Sequence, residues 1–137
     1  MTMLTPVFTL ILWTLLIWIW MYATRIPAMK KAKIDPQSAI HPGSLSGLPT
    51  NARVVADNYN HLHEQPVIFY ALAFYSHLAG VADILNIWLA WGYVSLRVIH
   101  SLAQIVAKNV KLRFGVFALS TLVLMVIALR NLWALAV

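Results

Sequence analysis

The chain has 137 residues, a mean hydropathy of +0.77 and only 10% Asp, Glu, Lys and Arg. About a quarter of the residues in an ordinary soluble domain are charged, so this composition excludes an ordinary soluble globular protein. It contains no cysteine, which excludes disulfides, thiolate metal sites and a cysteine nucleophile. The net charge of +6 would favour a nucleic-acid partner in a soluble protein, but membrane topology explains it better here, and no nucleic-acid binding is predicted.

The first predicted helix covers residues 4–23, an uncharged stretch close to the ~20 residues that a transmembrane helix needs. Tryptophans accumulate towards its carboxyl end, as is typical of a membrane interface. Arg25 and Pro27 are predicted to end it. No basic residue precedes the apolar run, so we interpret it as a retained span rather than a cleaved signal peptide.

Residues 24–50 differ from this first helix in being basic and rich in proline, which predicts a solvated cytoplasmic loop. Its charges have two interpretations, an ordinary solvated face or an anchor on the membrane surface. The prolines that interrupt it are Pro27, Pro36, Pro42 and Pro49.

The second predicted helix covers residues 51–79, with Thr50 as its cap. Polar residues recur in it at spacings of three and four, which places them on one helical face. Pro66 is predicted to kink this helix, and residues 80–83 to form the turn after it. The polar face consists of Arg53, Asp57, Asn60, His61 and Glu64.

The third predicted helix covers residues 84–107 and the fourth residues 113–136, with a short turn between them. The third carries a polar stripe, again at spacings of three and four: Tyr93, Arg97, His100, Ser101, Gln104, Lys108 and Lys111. The sequence therefore predicts an all-α membrane protein, a four-transmembrane-helix bundle that forms one domain over residues 1–137.

Basic residues predict the orientation of this bundle. Most of the ten Lys and Arg lie around the first and third connections, and the second connection holds none. By the positive-inside rule, those two connections face the cytoplasm and both chain termini face outside. The basic residues at these connections are Arg25, Lys30, Lys31, Lys33, Arg53, Lys108, Lys111 and Arg113.

Arg97 is the charge that most needs a partner. It precedes Lys108 by a distance of about 16 Å along a helix, which puts it near the middle of the bilayer. An unpaired charge there costs at least about 2.5–3.5 kcal/mol. Glu64 is as far from the second turn as Arg97 is, so we predict an ion pair between them. Such a pair fixes helix register alone, or it belongs to a polar binding site, which the neighbouring polar side chains favour.

Taken together, the residues resemble the MAPEG family, the membrane-associated proteins of eicosanoid and glutathione metabolism. The resemblance is carried by the basic loop, a polar residue three positions before Glu64 and the proline after it, Arg97-Val98-Ile99-His100, and Lys111-Leu112-Arg113. The segment 64–70 is similar to bacterial members. The resemblance implies a homotrimer in a bacterial inner membrane, with glutathione bound in a cleft between subunits that opens towards the cytoplasm.

The resemblance also implies roles for individual residues. Glu64 is expected to contact the glutamyl amine of glutathione, Arg97 to support Glu64 and the ligand, and His100 to line the site. Arg113 is expected beside the sulfur as the catalytic residue, where a guanidinium favours thiolate. The other residues that we predict to bind glutathione are His61, Asn60, Gln104 and Arg53.

This sequence departs from the family pattern at positions where the family has hydrogen-bonding side chains. His61 stands three positions before Glu64, where the family usually has asparagine, and Asn60 lies beside it. Gln104 and Phe117 replace tyrosines that contact glutathione. These departures reduce the number of hydrogen-bond partners that the predicted site offers to the ligand.

Three functions are compatible with these residues. The first is a membrane glutathione transferase or peroxidase acting on hydrophobic electrophiles or lipid peroxides. The second is a non-catalytic lipid-binding or scaffold protein of the same fold. The third is a small four-helix exporter, which typically needs a carboxylate in its first helix, and residues 4–23 contain none. No metal site is predicted, because His61 and His63 point in nearly opposite directions on a helix.

Overall fold

The computed structural model describes residues 2–41 and 43–137, so Pro42 of the predicted loop lies outside the described residues. All regular elements within these ranges are helical, which confirms the all-α prediction. They are α1 (Leu4–Lys31), a 3-10 turn (Pro36–Ser38), α2 (Thr50–His61), α3 (Gln65–Leu78), α4 (Ile84–Leu102), a π-helical segment (Ala103–Ala107) and α5 (Val110–Ala136). α2 and α3 together occupy the place of the predicted second helix.

α1 is longer than the sequence analysis predicted. It passes Ala23 and Pro27 and ends at Lys31, after 28 residues. Pro27 removes one backbone donor but does not end the helix, which continues for four more residues and buries Met29. At 1.5 Å per residue α1 is about 42 Å long, more than the roughly 30 Å hydrocarbon layer. Its last, basic turn therefore extends beyond the apolar part of a bilayer.

Pro66 breaks the second helix rather than only kinking it. Proline has no N–H to donate to the carbonyl of Leu62, and its ring would clash with that carbonyl in a continuous helix. The backbone forms a tighter turn here, in which the Glu64 N–H donates to His61 O, three residues back, at 3.2 Å. α3 then begins at Gln65 with Pro66 in its first turn, where no N–H is required. The break leaves Glu64 between two helices.

The connection before α5 fixes the position of Arg113. Lys108 adopts a left-handed conformation with φ of 51°, and this ends the π-helical segment. Asn109 caps α5 with its side chain, which accepts the Leu112 N–H at 3.0 Å. α5 therefore begins at Val110, three residues earlier than predicted, and Arg113 lies in its first turn.

The helices pack around a continuous apolar core. α4 has its most extensive contact with α5, and α1 packs mainly on α2 and α4. Phe69 of α3 stacks on Tyr93 of α4, with ring centroids 4.5 Å apart and planes at 22°. The largest apolar core residues of α1 and α5 are Leu10, Ile17 and Ile127, which are fully buried.

A polar cluster ties α4 to α5 at the end opposite the basic connections. Arg130 forms an ion pair with Asp83, and its Nε donates to Asn86 Oδ1 at 2.8 Å. Asp83 also caps α4, because its side chain accepts the Asn86 N–H at 2.8 Å. The terminal charge of α5 is thus held against the start of α4.

Two helices, α1 and α5, are long and apolar enough to cross a membrane. Many large apolar side chains point away from the core, among them Leu78 at 82% exposure and Trp133 at 74%. Exposed apolar surface of this extent marks contact with lipid or with another chain. The finding agrees with a membrane protein.

Candidate functional site

Arg97 lies inside the bundle without a hydrogen-bond partner. Its side chain is fully buried, and among the described residues none accepts a hydrogen bond from Nε, Nη1 or Nη2. Its guanidinium carbon lies 5.8 Å from the centre of the Phe117 ring, a cation–π distance. Burying a guanidinium without an anion costs several kcal/mol, so the position of Arg97 is energetically unfavourable.

The predicted ion pair between Glu64 and Arg97 is wrong. Glu64 lies in the break between α2 and α3, its side chain is 67% exposed, and its Oε2 lies 2.9 Å from His61 Nδ1. Equal distances from the second turn place Glu64 and Arg97 at one depth only if the helix before Pro66 is continuous. At the break the carboxylate contacts His61 on its own segment instead of Arg97.

A cavity of about 470 Å³ lies between α2, α4 and α5 at the basic end of the bundle. Its wall combines charges of both signs, amides and aromatic rings. The residues that line it are Asp57, Asn60, His61, Glu64, His100, Gln104, Val110, Arg113, Phe114 and Phe117.

Most of the residues predicted for the site line this one cavity: Glu64, His61, Asn60, His100, Gln104 and Arg113. Two do not. Arg97 lies behind the wall, against Phe117, and Arg53 is exposed on α2 outside the cavity lining. Ser101, which shares the predicted stripe, accepts the Trp13 indole N–H at 3.1 Å and so faces α1.

His61 packs against rings from two other helices. It stacks on Phe117 of α5 with centroids 5.4 Å apart and planes at 23°. His100 of α4 lies at 4.8 Å, tilted by 51°, and is itself 6.1 Å from Phe117, so the three rings form one cluster. The imidazole is therefore fixed by packing as well as by its bond to Glu64.

The inner wall of the cavity is held by an amide pair. Asn58 is fully buried and donates through Nδ2 to Gln104 Oε1 at 3.0 Å, which joins α2 to the π-helical segment. Within residues 2–41 and 43–137, Asn58 Oδ1 and His100 Nδ1 are buried without hydrogen-bond partners. Orphaned polar atoms beside a cavity are sites where a ligand or water can bond.

Three lining residues were not predicted for the site, Asp57, Val110 and Phe114, and Phe117 was expected there only as the replacement of a family tyrosine. Asp57 lies one helical turn before His61, and Phe114 and Phe117 lie within a turn of Arg113. Helical spacing was thus a usable signal for them. The polar pattern does not identify Phe114, because an apolar wall at a membrane-embedded site is indistinguishable from lipid-facing sequence.

A second cavity of about 420 Å³ lies at the opposite end of the bundle, against the ion pair of Arg130 and Asp83. Its other walls are mostly apolar and include Leu129 and Trp133. Among the described residues there is no group of three His, Asp or Glu side chains that could hold a metal ion. Compared with this second cavity, the cavity at the basic end is lined by more polar side chains.

Compared with models of known protein families, the chain matches that of the MAPEG family over residues 3–133, nearly its whole length. No curated protein and no solved structure matches it.

Proposed function

The chain belongs to the MAPEG family, and from that premise we propose that it is a membrane-embedded glutathione-dependent transferase or peroxidase. Its substrates are hydrophobic electrophiles or lipid peroxides, which reach it from the bilayer. The observation that carries the proposal is the cavity at the basic end, where the Arg113 guanidinium and the Glu64 carboxylate line one space.

The groups around this cavity fit the chemistry of glutathione. That tripeptide presents two carboxylates, one ammonium and one thiol. Arg113 offers a guanidinium, Glu64 and Asp57 offer carboxylates for the ammonium, and Asn60 and Gln104 offer amides. The volume of about 470 Å³ lies within the roughly 300–1,000 Å³ of typical small-molecule sites.

The remaining predicted residues have supporting roles in this proposal. Arg97 contributes positive potential from behind Phe117, and His100 lines the inner end. Arg53 is exposed on α2, where it is available to a ligand held between subunits. A single guanidinium on the wall is too few for two ligand carboxylates, and this supports a homotrimer in which a neighbouring copy completes the site.

Arg113 is the catalytic residue of this proposal. Glutathione supplies the nucleophilic sulfur, whose thiol pKa of about 8.5 leaves little thiolate at neutral pH. A guanidinium within about 4–6 Å of the sulfur lowers that pKa by about 1–3 units. Arg113, held in the first turn of α5 by the Asn109 cap, can hold the negative charge of the sulfur while the apolar electrophile approaches past Phe114.

The orientation that we infer places the site at the cytoplasmic face. The basic end of α1, with Lys30 and Lys31, and the connection that holds Lys108 both belong to the end of the bundle where the cavity opens. We infer that this end faces the cytoplasm, that both termini lie outside, and that the membrane is a bacterial inner membrane.

A second function, a non-catalytic lipid-binding or scaffold protein of the same fold, is favoured by one observation. Phe114 and Phe117 give the cavity aromatic walls without hydroxyl groups, which suits an acyl chain better than a polar tripeptide. In this alternative Arg113 is a flanking charge at the membrane surface. This alternative would be supported if the protein co-purified with a partner enzyme and Arg113→Ala left that co-purification unchanged.

The test is glutathione binding to the purified protein, followed by calorimetry and by the ultraviolet absorbance of the bound thiolate. Wild type should bind saturably and form thiolate, and Arg113→Ala should lose the thiolate. Lys111→Ala is the matched control, since Lys111 is exposed on the same turn of α5 and does not line the cavity. Absence of binding to the wild-type protein would overturn the proposal.

A further inference from the structure

The bond between His61 and Glu64 defines which imidazole nitrogen is free. An ionised carboxylate only accepts hydrogen bonds, so His61 Nδ1, at 2.9 Å from Glu64 Oε2, carries the hydrogen. In the neutral ring Nε2 then holds a lone pair. Among residues 2–41 and 43–137, no side chain or backbone group bonds to Nε2. The ring is therefore presented as a base whose tautomer is fixed by a carboxylate, an arrangement suited to proton transfer.

His61 is close to the place where Arg113 acts. Its ring stacks at 5.4 Å on Phe117, and Phe117 lies four residues after Arg113 on α5. Side chains at that spacing lie on one face of a helix, about 5–6 Å apart at Cβ. The imidazole and the guanidinium thus reach the cavity from adjacent levels of its wall.

The charged and titratable groups around the ring single out His61 as the base. Asp57 on its own helix and Arg113 on α5 share the cavity, and Glu64 bonds to the ring directly. His100 on α4 is the other imidazole, but it is 1% exposed and its Nδ1 has no partner within the described residues. His100 thus lacks both a carboxylate to orient it and access to the cavity mouth, whereas His61 is 25% exposed.

We propose that His61, oriented by Glu64, takes the proton of the glutathione thiol and returns it to the leaving group of the electrophile. The proposal rests on the proposed function. His61 Nε2 removes the S–H proton and becomes imidazolium, while Arg113 faces the charge left on sulfur. The sulfur electron pair forms the bond to the electrophilic carbon as the bond to the leaving group breaks. His61 Nε2 then gives its proton to the departing group and regains its lone pair.

The proposal assigns the thiol proton to His61 for as long as the thiolate exists. Thiolate that forms opposite Arg113 alone would release its proton to the solvent, whereas thiolate that forms with His61 as acceptor keeps the proton within the site. His61→Asn separates the two cases, because an asparagine amide can still donate to Glu64 but cannot accept a proton. His63→Asn is the matched control. His63 is exposed, bonds through Nδ1 to Tyr59 O at 2.9 Å, and lies outside the cavity lining.

The experiment mixes glutathione with the full-length protein in weakly buffered detergent solution, and records thiolate absorbance together with a pH indicator. For wild type and His63→Asn we expect thiolate without release of a proton. For His61→Asn, at glutathione concentrations that saturate the variant, we expect one proton released per thiolate formed and kcat lowered by about 100-fold or more. Added imidazole should restore turnover to His61→Gly, which a purely structural role for the ring would not allow.

Two results would overturn the proposal while leaving the proposed function intact. They are wild-type turnover by His61→Asn, and release of one proton per thiolate by the wild-type protein. Failure of the wild-type protein to bind glutathione would overturn both. If His61→Asn elutes as aggregate, His61→Gly with and without imidazole decides the question, and turnover that does not respond to imidazole counts against the proposal.

Discussion

Nδ1 of His61 lies 2.9 Å from Oε2 of Glu64, and this bond leaves Arg97 without the carboxylate that its depth in the bundle requires. The Glu64 carboxylate lies in the cavity wall, and the Arg97 guanidinium lies in the interior of the bundle. Positive potential behind the wall and a carboxylate on it are complementary to a ligand that is itself charged at several points.

The first prediction concerns this separation of Glu64 and Arg97. A double-mutant cycle with Glu64→Gln and Arg97→Met, followed by thermal unfolding without ligand, should show a coupling below about 0.5 kcal/mol, because the two groups are not paired. Arg97→Met alone should stabilise the protein by about 1–4 kcal/mol, since it removes a buried charge that has no anion. Coupling well above this limit would show that the two residues form an ion pair after all.

The second prediction concerns Phe117, which stacks on His61 at the cavity wall. Phe117→Tyr adds a hydroxyl and keeps the ring, so it should tighten glutathione binding by about 0.5–1.5 kcal/mol, the typical net value of one hydrogen bond. Titration calorimetry measures the change. Phe114→Tyr is the control, because Phe114 also lines the cavity but is 70% exposed, so a hydroxyl there remains hydrated and gains little. Equal affinities for Phe117→Tyr and wild type would contradict the prediction.

The third prediction concerns the cap that positions Arg113. Asn109→Ala removes the acceptor of the Leu112 N–H and should destabilise α5 by about 0.5–2 kcal/mol. It should also weaken thiolate formation, because Arg113 lies in the turn that the cap orders. Asn109→Ser retains a capping oxygen and should behave like wild type in both measurements. A loss of thiolate in Asn109→Ser that equals the loss in Asn109→Ala would refute the role of the cap.

The fourth prediction concerns the opposite end of the bundle. Arg130→Met removes the partner of Asp83 and leaves Asn86 Oδ1, on a residue that is 2% exposed, without its donor. A cost of about 1–3 kcal/mol in unfolding free energy is expected for the unsatisfied group. Glutathione affinity should stay unchanged, because this cluster lines the other cavity. A parallel loss of affinity would indicate that the two ends are coupled.

The fold follows closely from local signals in the sequence. Hydropathy and helical spacing identify the membrane class, the succession of helices and the polar faces of α2 and α4, because these depend on residues only a few positions apart. The basic connections likewise predict the end where His61, Gln104 and Arg113 are found together. Thr50, the predicted cap of the second helix, is the first residue of α2 and its side chain caps nothing among the described residues, whereas Asn109 and Asp83, which lie in predicted turns, do cap helices.

The tertiary structure decided which groups meet. Glu64 and Arg97 stand at matching distances from a turn, yet a proline two residues after Glu64 breaks the helix and changes the direction of the carboxylate. The family resemblance places Phe117 at the site, but only the packing of α5 on α4 shows that its ring lies against His61 and Arg97. Depth and periodicity determine the position of a residue along its helix and the helical face on which it lies. The partner that it reaches depends on helix breaks and on neighbours far away in sequence, and only the folded chain brings those together.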